Sequence, residues 1–158
     1  MIVEWSQGST DDGIVYHNVS RQTEITFSQT YWRADWGTWY FATDDGANTT
    51  YQSGVGQAVQ RSFDAEGKLN NTGDPDFRAI GDNTPVFALA VDIGLVTELP
   101  KSVLFSVGMT QSDAAQYTRK SGGTVSTDIL PPLWKSYFAD DLAAVSFFHL
   151  VFHICSHG

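Results

Sequence analysis

The sequence predicts a mainly β fold: a β-sandwich-like domain with a C-terminal α-helix that either covers the sandwich or belongs to a helical domain that should follow. Three observations predict it. Turn-forming clusters recur at short intervals through residue 110. The runs between them alternate apolar and polar residues or are apolar without a break. After the pair Pro131-Pro132 the apolar spacing changes from two to three and four. Period two is the signature of a half-buried strand, and period 3.6 that of an amphipathic helix.

The turns are expected at Ser9-Thr10-Asp11-Asp12-Gly13, Asp44-Asp45-Gly46-Ala47-Asn48, Ala65-Glu66-Gly67-Lys68 and Asn70-Asn71-Thr72-Gly73-Asp74-Pro75, where Gly, Asn, Asp and Pro supply turn geometry. Between them Ile14-Val15-Tyr16 reads as a short strand. Thr23, Ile25 and Phe27 alternate with Gln22, Glu24 and Thr26, and Val59, Arg61 and Phe63 alternate with polar or small neighbours. Val86 to Val91 is continuously apolar, which suits a strand buried on both faces, and Val103-Leu104-Phe105 is nearly so. In the run Ala34 to Thr43, Trp36 and Tyr40 share one face and Trp39 and Phe41 the other.

Residues 1–110 therefore form the sandwich. Residues 111–130 form a linker with a short helix over Ser112 to Arg119 and a flexible break at Ser121-Gly122-Gly123-Thr124. Residues 131–149 form a helix opened by proline in its first turn, with Trp134, Tyr137, Phe138, Leu142, Val145 and Phe148 on its apolar face. Residues 150–158 read as an aberrant tail from a misread exon or a frameshift.

A chain of 158 residues is one domain with room for a real core. Nine Lys and Arg stand against eighteen Asp and Glu, a net charge of −9. Nucleic acid and anionic membrane surfaces need clustered cations, so neither is an expected partner. The single cysteine, Cys155, has no internal partner for a disulfide. No apolar run is long enough to span a bilayer. Met1 to Trp5 lacks the features of a signal peptide, so a secreted protein would have its true N-terminus upstream. Three glycosylation sequons begin at Asn18, Asn48 and Asn70, all in polar, turn-like stretches.

The candidate chemistry is sparse. His149, His153, Cys155 and His157 cluster at the end of the chain, but their spacing matches no established zinc pattern, and no metal site is expected there. A serine hydrolase is disfavoured: there is no G-x-S-x-G elbow, and His17 is the only histidine before residue 149. The carboxylates Asp35, Asp44, Asp45, Asp74, Asp76, Asp82 and Asp92 are candidates for acid and base, with local turn bonding as their expected role. Asp74, Asp76 and Asp82 also raise a calcium loop, without the regular EF-hand alternation. Trp32, Trp36, Trp39 and Tyr40 are candidates to stack on sugar rings, which makes a carbohydrate-binding module the rival reading. Trp36 and Trp39 more readily form a domain interface or site wall. Arg78 and Asp82 flank the turn before the Val86 strand as a pair that braces the loop or lines a boundary site.

The order of several runs resembles that of the fungal glutaminase A family. They are Val3-Glu4-Trp5, Arg21-Gln22-Thr23, Asp35-Trp36-Gly37-Thr38-Trp39-Tyr40, Tyr51-Gln52-Ser53-Gly54, Phe77-Arg78-Ala79-Ile80, Pro85 to Gly94, Val103 to Gly108 and Trp134 to Phe138 with Phe147-Phe148. The match covers residues 3–148. It implies a β-rich domain preceding a larger helical domain, in a secreted enzyme that hydrolyses L-glutamine to L-glutamate and ammonia without a cofactor. This chain would be a non-catalytic fragment whose partner is the helical domain of the same parent, with a small-molecule substrate bound only by the intact protein. The resemblance assigns no catalytic residue to any position here.

Overall fold

The computed structural model describes residues 1–30 and 33–156, with side-chain surroundings over 1–29 and 35–152. Trp32 and His157 lie outside the described residues, as do the side chains of His153 and Cys155. The described residues are mostly strand, as expected. The chain runs through β1 (Val3–Ser9), β2 (Ile14–Arg21), the short β3 (Gln29–Thr30) and β4 (Arg33–Ala34), β5 (Thr38–Asp44), β6 (Thr49–Val55), α1 (Gly56–Glu66) and β7 (Pro85–Val91). It continues through β8 (Phe105–Thr110), β9 (Ala115–Ser121), β10 (Thr124–Leu130), a 3-10 turn at Leu133–Ser136 and α2 (Asp141–Ser156).

An antiparallel four-stranded sheet in the order β1-β2-β5-β8 forms the centre. Directly paired residues share a face, so the registers sort every side chain. The pairs Trp5↔Val19, His17↔Phe41 and Trp39↔Met109 lie on one face. The pairs Ile14↔Asp44, Asn18↔Tyr40 and Ala42↔Ser106 lie on the other. The antiparallel pair β6–β7 covers the first face. There Phe87 meets Trp5 at 5.4 Å and His17 at 5.9 Å between ring centroids. Helix α2 covers the second face, over the fully buried Ile14 and Ala42. The result is a sheet on a sheet with a helix behind, the expected β-sandwich-like class.

Gly37 lets β5 begin close beside β8. Its φ is 102°, and a Cβ there would sit 2.3 Å from the Thr110 carbonyl oxygen.

Several local expectations change. The Thr23, Ile25, Phe27 alternation is not a strand but irregular and turn backbone between β2 and β3. The Val59, Arg61, Phe63 stretch is not a strand but part of α1, because Val59 and Phe63 also share a helical face four residues apart. Val59 is buried there against the β6–β7 pair, and Gly67 at φ 67° ends the helix with its N–H on the Phe63 carbonyl at 2.7 Å. The short helix expected over Ser112 to Arg119 is instead β9, paired with β10 across Gly122-Gly123. Both glycines have positive φ, 59° and 86°, so the expected flexible break is a tight two-residue hairpin turn. The C-terminal helix starts at Asp141 rather than Pro131: the Asp140 carboxylate accepts the Ala143 N–H at 2.8 Å and caps it. Trp134, Tyr137 and Phe138 lie on the approach to the helix, and the helix continues through the residues read as an aberrant tail as far as Ser156. The β7 strand is half-buried along its length rather than buried on both faces.

His17 closes the core between the two sheets at 1% exposure. Its Nε2 contacts the Ala88 carbonyl at 3.0 Å, and Nδ1 has no hydrogen-bond partner among the described residues. Burial holds its pKa below the ordinary 6.5, opposed in part by the Ala88 carbonyl. The unfolded chain then takes up a proton that the folded chain refuses. Stability is full above the unfolded value and is lost as the pH falls below it. Urea midpoints are expected to drop between about pH 7 and pH 5, by more than in His17→Gln, with a difference of up to about 1.4 kcal/mol per pH unit. Identical pH profiles for the two proteins would assign the acid sensitivity to other groups.

Candidate functional site

The loop before β7 is organised by Arg78, which is 6% exposed. Its Nη1 donates to the Asp74 carboxylate at 2.7 Å and to the Asp76 carbonyl at 2.6 Å. Its Nε donates to the Asp82 carbonyl at 3.1 Å. The guanidinium also lies 5.4 Å from the centre of the Trp5 ring, and the Trp5 indole donates to the Asp74 carbonyl at 2.7 Å. The loop is thereby fastened to β1. The expected Arg78–Asp82 pairing is present, but through the Asp82 backbone; the partner carboxylate is that of Asp74. Partial burial of Asp74 opposes its charge, yet the Asp76 N–H and the Arg78 guanidinium outweigh it and hold the carboxyl below its ordinary 3.8. That carboxylate braces the loop, which counts against the calcium reading. Among the described residues no group of three or more His, Cys, Asp or Glu is placed to hold a metal.

The structure separates Trp36 from Trp39. Trp36 is 4% exposed and packs edge-on against Phe27 at 5.1 Å, so it is core and is not presented to a sugar or to a second domain. Trp39 is half-exposed on the face that β6–β7 covers, beside Val107 and Met109 of the uncovered edge strand β8. Tyr40 points the other way, buried, and donates to the Asp141 carboxylate at 2.8 Å. Of the three sequons, Asn48 is exposed in the β5–β6 turn and Asn70 in the loop after α1. Asn18 is not in a turn: it lies within β2, where its amide oxygen accepts the Ser6 N–H at 3.0 Å and hydroxyl at 2.7 Å.

The contact of α2 with the sheet brings together residues that sequence reasoning left apart. His149 is 1% exposed on α2. Its Nδ1 lies 2.8 Å from the Ser106 hydroxyl on β8, and its Nε2 lies 3.3 Å from the Asp44 carboxylate at the end of β5. A neutral imidazole carrying its proton on Nε2 donates to Asp44 and accepts from Ser106. These residues are 43 and 105 positions from His149, with no local motif around any of them. The one signal was that Ala42 and Ser106 fall on the β face that α2 covers, visible only once the strand pairing is known.

Removing the guanidinium would leave the Asp74 charge with little compensation in a partly buried loop. Arg78→Met is expected to cost about 3 kcal/mol or more in urea unfolding. Asp82→Ala should stay within about 0.5 kcal/mol, because the contact uses its backbone carbonyl. Equal losses in the two variants would mean that the Asp82 side chain carries the brace.

The chain is similar to two longer proteins. It is 47% identical over 148 residues to Glutaminase A of Aspergillus oryzae, a match covering 94% of this chain and 21% of that protein. It is 30% identical over 154 residues to a probable glutaminase of Arthroderma benhamiae, covering 92% of this chain and 17% of that one. The chain thus spans well under a quarter of the length of the relatives it matches. No solved structure matches it. The family model described as "Domain of unknown function (DUF5127)" matches residues 1–157, and the chain belongs to that family.

Proposed function

We propose that this chain is the β-rich N-terminal part of a secreted glutaminase and that it serves as a scaffold on which a helical domain of the same parent docks. The parent reaction is hydrolysis of L-glutamine to L-glutamate and ammonia, which consumes water and needs no cofactor. The carrying observation is the 47% identity to Glutaminase A over 94% of this chain but only 21% of that relative. Such an identity over nearly the whole domain supports a shared parent architecture.

The surface suits a docking role. Tyr137, Phe148 and Leu133 are 73%, 64% and 74% exposed along the approach to α2 and on it. The β9–β10 hairpin stands almost wholly in solvent with Tyr117, Val125 and Ile129 uncovered. An isolated two-stranded hairpin is marginal in water, so this one gains stability when a partner covers it. A net charge of −9 disfavours nucleic acid and anionic membranes as that partner. No described helix is long and apolar enough to cross a membrane.

The purified chain is expected to release no ammonia from glutamine above a buffer blank, while the parent containing the helical domain releases it. Ammonia release by the chain alone would overturn the scaffold reading. In a secretory host, glycans are expected on Asn48 and Asn70 and not on Asn18, whose amide is engaged within the sheet. Peptide mapping after deglycosylation reads this directly; an occupied Asn18 would contradict it.

A further inference from the structure

We propose that Ser106, His149 and Asp44 act as nucleophile, base and orienting carboxylate on uncharged esters with an apolar acyl group, an activity separate from glutamine hydrolysis. Three elements supply the groups, β8, α2 and β5, and the same sheet face presents Ser106 and Asp44 to the helix. The distances are 2.8 Å from Ser106 Oγ to His149 Nδ1 and 3.3 Å from His149 Nε2 to Asp44 Oδ1. A hydroxyl bonded to an imidazole that is itself held by a third group is the arrangement that activates a serine.

A cavity of about 490 Å³ adjoins these residues and counts both Ser106 and His149 in its wall. That volume is of the size that holds a small organic ligand. The remaining wall is largely apolar, including Leu104, Val145 and Phe152, and among the described residues it contains no Lys, Arg, Asp or Glu. Glutamine would find no partner there for its ammonium or carboxylate, whereas an apolar acyl chain would displace water from a matching surface. The cavity runs along β8, the edge strand of the sheet. Half the N–H groups of an edge strand point away from the ladder, and groups of that kind can donate to a developing oxyanion.

In the reaction Ser106 Oγ bonds to the ester carbonyl carbon as its proton passes to His149 Nδ1. The carbon–oxygen bond to the alcohol then breaks, and the departing alkoxide takes that proton. Water gives a proton to His149 and adds to the acyl carbon; the acid leaves, and Ser106 recovers its proton. Asp44 acts as a positioning residue for the imidazole.

The test uses a fluorophosphonate reagent and p-nitrophenyl butyrate on the purified chain. One adduct per chain is expected, on the peptide containing Ser106, with ester hydrolysis that Ser106→Ala abolishes while the far-ultraviolet circular dichroism is unchanged. Asp44→Asn should lower kcat at least about tenfold with KM within about twofold, as loss of imidazole orientation requires. No adduct, an adduct on another serine, or hydrolysis equal to that of Ser106→Ala would overturn the proposal. Should Ser106→Ala fail to fold, the mapped adduct on the unaltered chain decides by itself. Because glutamine plays no part in these assays, their failure leaves the scaffold reading untouched.

Discussion

The central four-stranded sheet has two apolar faces, and covering both is the constraint on which the rest of this structure depends. Most antiparallel sheets bury one face and leave the other in water. Here Trp5, Val15 and His17 fall on one side of the registers and Ile14, Ala42 and Tyr40 on the other, all buried. The β6–β7 pair closes the first side and α2 the second. Each cover lies far along the chain from the strands it protects, so the fold is held by contacts of long sequence separation. Such contacts are slow to form, because chain closure costs entropy before it is offset by burial.

Each cover is fixed by polar groups at chosen points. On the helix side the Asp141 carboxylate accepts from Tyr40 at 2.8 Å and from Thr110 at 3.1 Å. Burial pushes the Tyr40 phenol well above its ordinary 10.0, and the neighbouring Asp141 adds to the shift, so the phenol remains a donor at any physiological pH. On the other side Arg78 gathers the Asp74, Asp76 and Asp82 segment and leans on Trp5, and the Val3 N–H bonds to its carbonyl at 3.1 Å. Apolar burial supplies the driving force, and these bonds select one way of seating the covers.

The uncovered parts follow from the same geometry. The β6–β7 pair reaches β1, β2 and part of β5 but not the far edge, so Val107 and Met109 of β8 and the adjacent Trp39 stay exposed. The hairpin β9–β10 leaves that edge without joining either sheet. Exposed large apolar groups occur along the whole sequence, at Ile25, Leu95 and Leu99 as well as at Val107, Tyr137 and Phe148.

The amino-acid sequence by itself determined the β class, the turns at Ser9 to Gly13 and Asp44 to Asn48, the opposed faces of Trp39 and Tyr40, and Arg78 as a brace. These follow from period-two alternation and from Gly, Asn, Asp and Pro, whose preferences are local. It could not decide between strand and helix at Val59 to Phe63, where a spacing of two and a spacing of four fit the same residues; burial against β6–β7 chose the helix. It read a helix over Ser112 to Arg119 because the partner strand β10 was not in view, and it placed Asp82 rather than Asp74 opposite Arg78 because loop curvature is not written in spacing. Tertiary structure alone buried Trp36 and joined Ser106, Asp44 and His149. Those three share no segment, and a hydrogen-bond chain across two strands and a helix exists only after the sheet register and the seat of α2 have fixed where each side chain points.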